Sequence, residues 1–336
     1  MWRTFAVPAA RVMYVQIHKN ACTSLKWMMA DMAGEDPAGF SPTLWPSVSE
    51  HDDIHDRNRW RNVPRLDRMS PEERAQIHPD NGWFVFAVVR DPRSRMFSAW
   101  QNKLLLENPG YRGYRNHPWY PRHPLSAETV VEDFAKFVDL FVREPDHRSR
   151  HKDGHFRDQT EMLHEDVIPY TKIYDIRELG EMRADLEKHL EALGWEGRLN
   201  LPRINDTPLR VNAQPFANGV REQVEKIYAA DFEQFGDRWD YAHIEKQPAW
   251  TDDELREAEW RATFGRRIGY LRGEAVRLTA QAAAERKRAN AQKARADQLE
   301  KQLRTIKAQP APAPAPWTVR RITSGVRRRV RQRWLS

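Results

Sequence analysis

The sequence has one cysteine, Cys22, among its 336 residues, so no disulfide can form within the chain. It has no apolar run that approaches the ~20 residues needed to cross a bilayer. Its N-terminal apolar stretch is too short for a signal peptide. The glycine-rich motif that cradles triphosphates in P-loop kinases is absent as well. These absences predict a cytoplasmic protein from a reducing compartment.

Positive charge is concentrated in one segment. The chain carries a formal net charge of +7, and residues 317–336 contain seven arginines and no acid, so residues 1–316 are formally neutral. The basic character therefore belongs to the tail and does not predict a nucleic-acid-binding fold. Apolar residues recur every three or four positions between these arginines, which predicts a basic amphipathic helix for an anionic membrane surface. Polyanion binding and a disordered solubilising tail are the alternatives.

Residues 11–33 are predicted to form a strand, a loop and a helix. The apolar run 11–17 is typical of a buried strand, and the Leu-, Met- and Ala-rich run that ends the segment favours a helix. The loop between them is small and hydroxyl-rich with one lysine, Lys19, and Thr23 or Ser24 is placed to cap the helix. Backbone N–H groups and a helix N-terminus converge in such a loop, so we predict a phosphate or sulfate site here.

A second strand, loop and helix repeat this arrangement. Residues 83–89 are continuously apolar, as expected of a central parallel strand covered on both faces. A charged loop begins at Arg90, and open α/β sheets bind ligands where strands end in this way. Arg90 and Ser98 are eight residues apart, across a turn and into a helix, so a guanidinium and a hydroxyl can meet on one phosphate.

Composition divides the chain into four segments. Residues 1–248 predict one α/β domain with a P-loop NTPase-like parallel sheet flanked by helices. In residues 249–308, leucine and alanine positions recur every seven residues, which predicts a helical stalk or weak coiled coil able to join copies of the chain. Residues 309–316 alternate proline and alanine as a stiff spacer, and residues 317–336 are the arginine-rich tail.

Two segments resemble the donor-binding motifs of carbohydrate sulfotransferases. The run Lys-Asn-Ala-Cys-Thr-Ser-Leu-Lys at 19–26 resembles their 5′-phosphosulfate loop, and residues 89–100 resemble their 3′-phosphate segment. The likeness is strongest to the chondroitin/dermatan 4-O-sulfotransferase group and extends over about residues 11–240. His18 stands where that family usually has proline, and the membrane anchor and disulfides of those Golgi enzymes are absent. We therefore expect a bacterial, cytoplasmic relative that associates peripherally with the inner face of the membrane.

The resemblance implies sulfuryl transfer from 3′-phosphoadenosine 5′-phosphosulfate (PAPS) to a hydroxyl of a carbohydrate or glycolipid-type acceptor. The product would be 3′-phosphoadenosine 5′-phosphate (PAP), and no metal is implied. Lys19 would neutralise charge on the bridging oxygen. Cys22 invites a nucleophile interpretation, which we reject because relatives need only a small residue there. The donor-binding residues implied are Lys19, Asn20, Ala21, Cys22, Thr23, Ser24, Leu25, Arg90 and Ser98.

The acceptor hydroxyl needs a general base, and neutral histidine suits pH 7. His55 is our first choice, because it lies between the two donor motifs, where glycan sulfotransferases supply a base. Asp52 or Asp56 would orient it. His155 is the second choice, and an acidic residue within 50–56 is a further alternative. The remaining candidates are His51, His117, His123 and His151.

Two other functions stay open. A P-loop kinase is disfavoured because Lys19 precedes the loop hydroxyls and the loop has no glycine. A degenerate transferase domain that serves as a membrane or coiled-coil adaptor is disfavoured by the intact Lys19, Arg90 and Ser98. The basic loops 111–123 and 143–157 are candidates for holding an anionic sugar acceptor.

Overall fold

The structure is a computed structural model, and its chain divides into two compact units, Met1–Val276 and Arg277–Ser336. The first unit extends beyond the boundary at residue 248 that composition suggests. The predicted spacer and arginine-rich tail lie outside the described residues, as do His51 and His151. The described residues are 3–40, 52–147, 152–197, 199–204 and 207–308.

Four strands form one sheet: β1 Thr4–Val7, β2 Val12–Val15, β3 Phe84–Val89 and β4 Lys172–Asp175. The three strands β2, β3 and β4 are parallel, as predicted, but β1 pairs antiparallel with β2. The sheet is therefore mixed, and the prediction of a purely parallel sheet is wrong at this edge. The cause is a one-turn 3-10 helix at Pro8–Ala10, followed by Arg11 with φ of 47°, which reverses the chain between β1 and β2.

Helices cover both faces of this sheet. Ser70 caps α2 in a capping box with Glu73. The segment 220–235 forms two helices that are separated at Tyr228, whose buried hydroxyl donates to the carbonyl of Phe156. The helices of the described residues are α1 Cys22–Met32, α2 Pro71–Ala75, α3 Pro92–Trp100, α4 Ala127–Arg143, α5 Gln159–Leu163, α6 Leu179–Ala192, α7 Val220–Ile227, α8 Ala229–Phe235, α9 Ala242–Glu245 and α10 Asp252–Ala308.

Strand β3 is buried along its whole length, which confirms the expectation from its continuous apolar run. On one face Phe86 packs in a cluster with residues of α1 and α6, and on the other Val85 packs with residues of α5 and α8. Val15 of β2 is paired with Ala87 of β3, so the two strands end side by side. The loops that follow β2 and β3 are therefore neighbours at one edge of the sheet.

The first part of α10 packs tightly against the chain that follows α3. Ala258, Ala262 and Gly265 are buried in this contact. A Cβ atom on Gly265 would lie 2.4 Å from the carbonyl oxygen of Leu106, so only glycine fits without a backbone shift. No helix in the described parts of the chain is long and apolar enough to cross a membrane. The pairing of α10 with a second copy stays a prediction.

We expect Gly265→Ala to lower the free energy of unfolding by about 1–3 kcal/mol, because the added methyl group overpacks a backbone contact. Gly180→Ala is the matched control, since Gly180 is also helical but has no atom within 4 Å of the place that an added methyl group would occupy. The control should be neutral or slightly stabilising through helix propensity. Urea titrations of both variants would measure the difference, and equal stabilities would contradict the packing described.

Candidate active site

A cavity of about 870 Å³ lies where the loops after β2 and β3 meet. This volume is within the range of ligand sites. The structure brings most of the sequence-predicted site residues into its wall. They are Lys19, Ala21, Cys22, Thr23, Ser24, His55, Arg90, Ser98 and His155.

The loop after β2 ends in an uncapped helix N-terminus. Helix α1 begins at Cys22, and its N-cap residue Ala21 makes no side-chain cap, so the expected capping by Thr23 or Ser24 is wrong. Both hydroxyl residues lie inside the first turn instead, where the backbone N–H groups have no partner within the helix. Lys19 and Ala21 adopt positive φ angles of 69° and 54°, which is strained for residues other than glycine. Strain combined with a helix N-terminus that lines a cavity is typical of an anion-binding loop.

Two residues predicted to contact the donor lie outside the cavity wall. Leu25 is fully buried, and its N–H donates to the carbonyl of Ala21. Asn20 is fully buried too, and its Nδ2 donates to the carbonyl of Val88 at 2.8 Å and to Oε1 of Gln159 at 2.7 Å. Both side chains point into the core and stabilise the loop there, Asn20 through its amide and Leu25 through its apolar side chain.

Gln159 joins the two loops of the site. Its Oε1 accepts from Asn20 and from the N–H of Arg90 at 3.0 Å, and its Nε2 donates to the Arg90 carbonyl at 2.8 Å. Asp231 accepts from the Gln159 backbone and side chain, both at 3.1 Å. Asn20, Gln159 and Asp231 are all fully buried. Sequence reasoning missed this network because its members are far apart in the chain and follow no local pattern.

Arg90 is placed to bind an anion rather than to pair with its neighbour. Asp91 is engaged by Arg93 at 2.7 Å, and Arg90 instead donates through Nη1 to the carbonyl of Lys19 at 3.2 Å. Burial lowers the pKa of Arg90 to about 10, and the nearby Asp91 and Asp175 offset this only in part. A half-buried guanidinium whose neighbouring carboxylate is paired with another arginine gains stability from a bound phosphate.

Arg95 ties the donor loop to the segment that carries His155. It is fully buried, its Nε donates to the carbonyl of His18 at 3.1 Å, and its Nη2 donates to the carbonyl of Gly154 at 3.0 Å. The arrangement positions His155 in the same cavity as Lys19.

His55, our first choice as general base, has both ring nitrogens engaged by protein groups. Nδ1 lies 2.6 Å from Nζ of Lys26, and Nε2 lies 3.1 Å from the hydroxyl of Thr23. Burial, followed by the charge of Lys26, lowers the pKa of His55 to about 2. Asp56 accepts from the N–H of Asn58 instead of orienting the ring, and the Asp52 side chain lies outside the described ones. This geometry disfavours His55 as the base.

His155 has the arrangement that a general base requires. Its Nδ1 lies 2.6 Å from Oδ1 of Asp153, and the hydroxyl of Tyr111 donates to the other oxygen of that carboxylate. Because the carboxylate accepts from Nδ1–H, the neutral ring has its lone pair on Nε2. Burial and then the charge of Lys103 lower the pKa of His155 to about 3, although Asp153 opposes them. The Asp-x-His spacing at 153–155 is the sequence signal that could have ranked this residue first.

The basic loops proposed for an acceptor are largely engaged in structural contacts. Arg115 pairs with Glu107, and Arg122 pairs with Asp133 at 2.8 Å. His117 stacks on Trp119, and Nδ1 of His123 lies 2.8 Å from Glu259. Four other cations line the cavity beside the predicted residues: Arg3, Lys103, Arg203 and Arg272 of α10. Among the described residues no group of three or more His, Cys, Asp or Glu side chains could hold a metal ion.

Comparison with known proteins decides the family. The profile of the Sulfotransferase family matches residues 2–241, which include both loops, His55 and His155. The chain belongs to the sulfotransferase family. Carbohydrate sulfotransferase 12 of Mus musculus is 25% identical over 248 residues, which are 67% of this chain and 57% of that protein. Carbohydrate sulfotransferase 10 of Danio rerio is 31% identical over 136 residues, which are 40% of this chain and 32% of that protein.

These matches confirm the predicted resemblance to carbohydrate sulfotransferases. The chain spans little more than half the length of the mouse relative and about a third of the zebrafish one. No solved structure matches this member of the sulfotransferase family. The family match ends before α10, so the wall contributed by Arg272 lies outside it. The bacterial origin and the cytoplasmic location stay predictions.

Acid should destabilise this protein below pH 6.5. Burial lowers the pKa of His18 and His155, so these rings stay neutral when folded but bind protons when unfolded. Because the unfolded state then binds more protons, the free energy of unfolding should fall as pH decreases from about 6.5 toward 3, by up to ~1.4 kcal/mol per pH unit for each ring. Urea titrations at pH 7.5, 6.5 and 5.5 would measure this slope.

The histidines can be separated by substitution. His155→Gln should reduce the slope by about one half, since it removes one of the two linked protonations. His243→Gln is the matched control, because His243 is exposed on α9. An unchanged slope in His155→Gln would contradict a neutral His155 ring in the folded protein.

Proposed function

We propose that this protein is a PAPS-dependent O-sulfotransferase that acts on a hydroxyl of a carbohydrate or glycolipid-type acceptor. One observation carries the proposal: the N-terminus of α1, Lys19, Arg90 and Ser98 line a single cavity within the region that matches the sulfotransferase family. The relatives named above are carbohydrate sulfotransferases, which supports a carbohydrate as the acceptor.

The residues present fit a donor with two separate anionic groups. The backbone N–H groups at the start of α1 and the Lys19 ammonium would hold the 5′-phosphosulfate. Arg90 and Ser98 would hold the 3′-phosphate, the group that distinguishes this donor from other adenine nucleotides. Six cationic side chains and one acid, Asp53, are found in the cavity wall, so its net charge favours an anionic ligand. The P-loop-like arrangement after β2 is part of this proposal.

The transfer needs one proton acceptor and one positive charge on opposite sides of sulfur. His155 Nε2 would take the proton of the acceptor hydroxyl as that oxygen forms its bond to sulfur. Asp153 would hold the ring in the required tautomer and stabilise the imidazolium. Lys19 would stabilise the charge on the bridging oxygen as its bond to sulfur breaks and PAP leaves. When bound, PAPS supplies the sulfuryl group, and the proposal requires no metal.

The low pKa of His155 fits an ordered sequence of binding. Burial, Lys103 and Lys19 contribute to holding this pKa at about 3 in the free protein. A bound anionic donor offsets the charge of Lys19, so the basicity of His155 rises once the donor is in place. The base is therefore most effective when the group to be transferred is present.

The acceptor end of the cavity is polar and basic. Asn102, Lys103, Asn108 and Arg272 line it, and Lys103 lies 5.8 Å from the centre of the Tyr111 ring, whose hydroxyl contacts Asp153. Amide and cationic groups suit sugar hydroxyls and an acidic substituent. These residues replace the loops 111–123 and 143–157 as our proposed acceptor contacts. Binding of the tail to a membrane, oligomer formation through α10 and a cytoplasmic location remain proposals from the sequence.

Lys19→Ala should reduce sulfuryl transfer by about 10²–10³-fold, as expected when one transition-state charge contact is removed, while PAP still binds. Arg90→Ala should weaken PAP binding and remove the preference for PAP over adenosine 5′-phosphate. Transfer of labelled sulfate from PAPS to a glycan extract and calorimetric titration with both nucleotides would measure these effects.

Two substitutions of exposed residues outside the cavity wall serve as controls. They are Lys188→Ala on α6 and Arg74→Ala on α2. Full transfer activity in either site variant would refute the assignment. Titration with ATP provides a further arm, because tighter binding of ATP than of PAP would favour the kinase alternative. A wild-type protein that binds none of these nucleotides would favour the adaptor alternative.

His155→Ala should lower kcat by about 10²–10⁴-fold, the usual contribution of a general base, and leave the Kd for PAP within a few-fold of wild type. Asp153→Asn should lower kcat less, because the ring remains but loses its fixed tautomer. Single-turnover transfer assays would separate kcat from donor binding. If His155→Ala keeps its kcat and His55→Gln is inactive, the base is His55 and not His155.

A further inference from the structure

Lys26 is a buried charge that the proposed reaction does not use. It lies on α1, one turn after Thr23, and its side chain is only 1% exposed. Its Nζ lies 2.6 Å from Nδ1 of His55 and 5.4 Å from the centre of the Phe5 ring. In the described part of the chain no carboxylate lies within 4 Å of this ammonium. A buried ammonium without an anion is unfavourable, and the group tends to release its proton instead.

The surroundings of Lys26 are mostly cationic. Burial lowers its pKa to about 7; Cys22 opposes this shift, and three cations add to it. Near neutral pH the amine is therefore protonated in about half of the molecules. The titratable and charged groups that face it are Cys22 on its own helix, and Arg3, His18, His55, Arg57 and Lys103 from other elements.

A chain of hydrogen bonds leads from Lys26 to the cavity. Nζ contacts Nδ1 of His55, and Nε2 of His55 contacts the hydroxyl of Thr23, which lines the cavity. A protonated Lys26 can only donate, so Nδ1 must accept and Nε2–H must donate to the hydroxyl of Thr23 beside the cavity. A neutral amine can also accept, and the direction of the chain is then not fixed.

We propose that binding of the anionic donor beside Thr23 is coupled to uptake of a proton by Lys26, which acts as a positioning residue through His55. The proposal rests on the proposed function, because the coupling needs an anionic donor at this loop. The proton comes from solvent and binds the Nζ lone pair. Negative charge on the loop favours the charged amine, and by linkage the charged amine favours the donor.

Calorimetric titration of the full chain with PAP tests this coupling. Titrations in buffers that differ in ionisation enthalpy give the number of protons taken up on binding. The uptake that depends on Lys26 should be about 0.1 proton at pH 6, one half at pH 7 and 0.9 at pH 8, as expected for a group with a pKa near 7 in the free protein. Above pH 7.5 the Kd for PAP should rise up to about tenfold per pH unit.

Two variants separate the titration of Lys26 from its charge. Lys26→Met removes both, and it should fold because apolar replacement of a buried charge is commonly tolerated. Lys26→Arg keeps the charge without titrating near pH 8. Both should abolish the extra uptake at pH 8, but only Lys26→Arg should keep tight, pH-independent binding. Lys188→Met, on the exposed side of α6, is the matched control and should behave as wild type.

The outcomes distinguish this inference from the proposed function. PAP binding with the same proton uptake in wild type and Lys26→Met would overturn the coupling and leave the sulfotransferase assignment intact. Loss of PAP binding in Lys26→Arg at every pH, with unchanged thermal unfolding, would also overturn it, since charge alone should suffice. A wild-type protein that does not bind PAP would overturn both.

Discussion

The site depends on the buried amide contact that Gln159 makes with the two loops. One side-chain amide holds Asn20 of the first loop and both backbone groups of Arg90 in the second. The loops belong to different strands, and without this bridge their separation would depend only on the strand spacing. The contact is buried and polar, so it forms only when all its partners are aligned. It therefore sets the separation between the loop at Lys19 and the loop at Arg90, which are the two points proposed to bind the donor.

Much of the fold could be predicted because its signals are local. The continuous apolar run of β3 and the hydroxyl-rich loop after β2 each follow from neighbouring residues, and the structure places them as expected. Strand β1 was missed, because four residues before a proline-containing turn carry no distinctive pattern. Because β1 was not predicted, its antiparallel pairing with β2 was not predicted either.

The contacts that give the site its chemistry were less accessible to sequence reasoning. Lys26 has the sequence character of an exposed helical lysine, yet the loop that carries His55 covers it. The choice of His55 as base relied on its place between two motifs, and only the fold shows that both of its nitrogens are engaged. Contacts of this kind join residues that are far apart in the sequence and depend on the path of the loops over the sheet. The spacing of apolar residues along the sequence does not predict that path.

The positive φ angles of Lys19 and Ala21 have a consequence for the entropy of binding. Side chains at these positions restrict the loop far more than glycines would, so its conformation is selected during folding and not when the donor arrives. A flexible glycine-rich loop would be less strained but would lose conformational freedom at each binding event. Glycine in place of Ala21 would relieve strain and make the folded chain more stable, while the loop would become less rigid as the proposed site of the phosphosulfate. The strain that keeps this loop rigid thus lowers the free energy of unfolding of the whole chain.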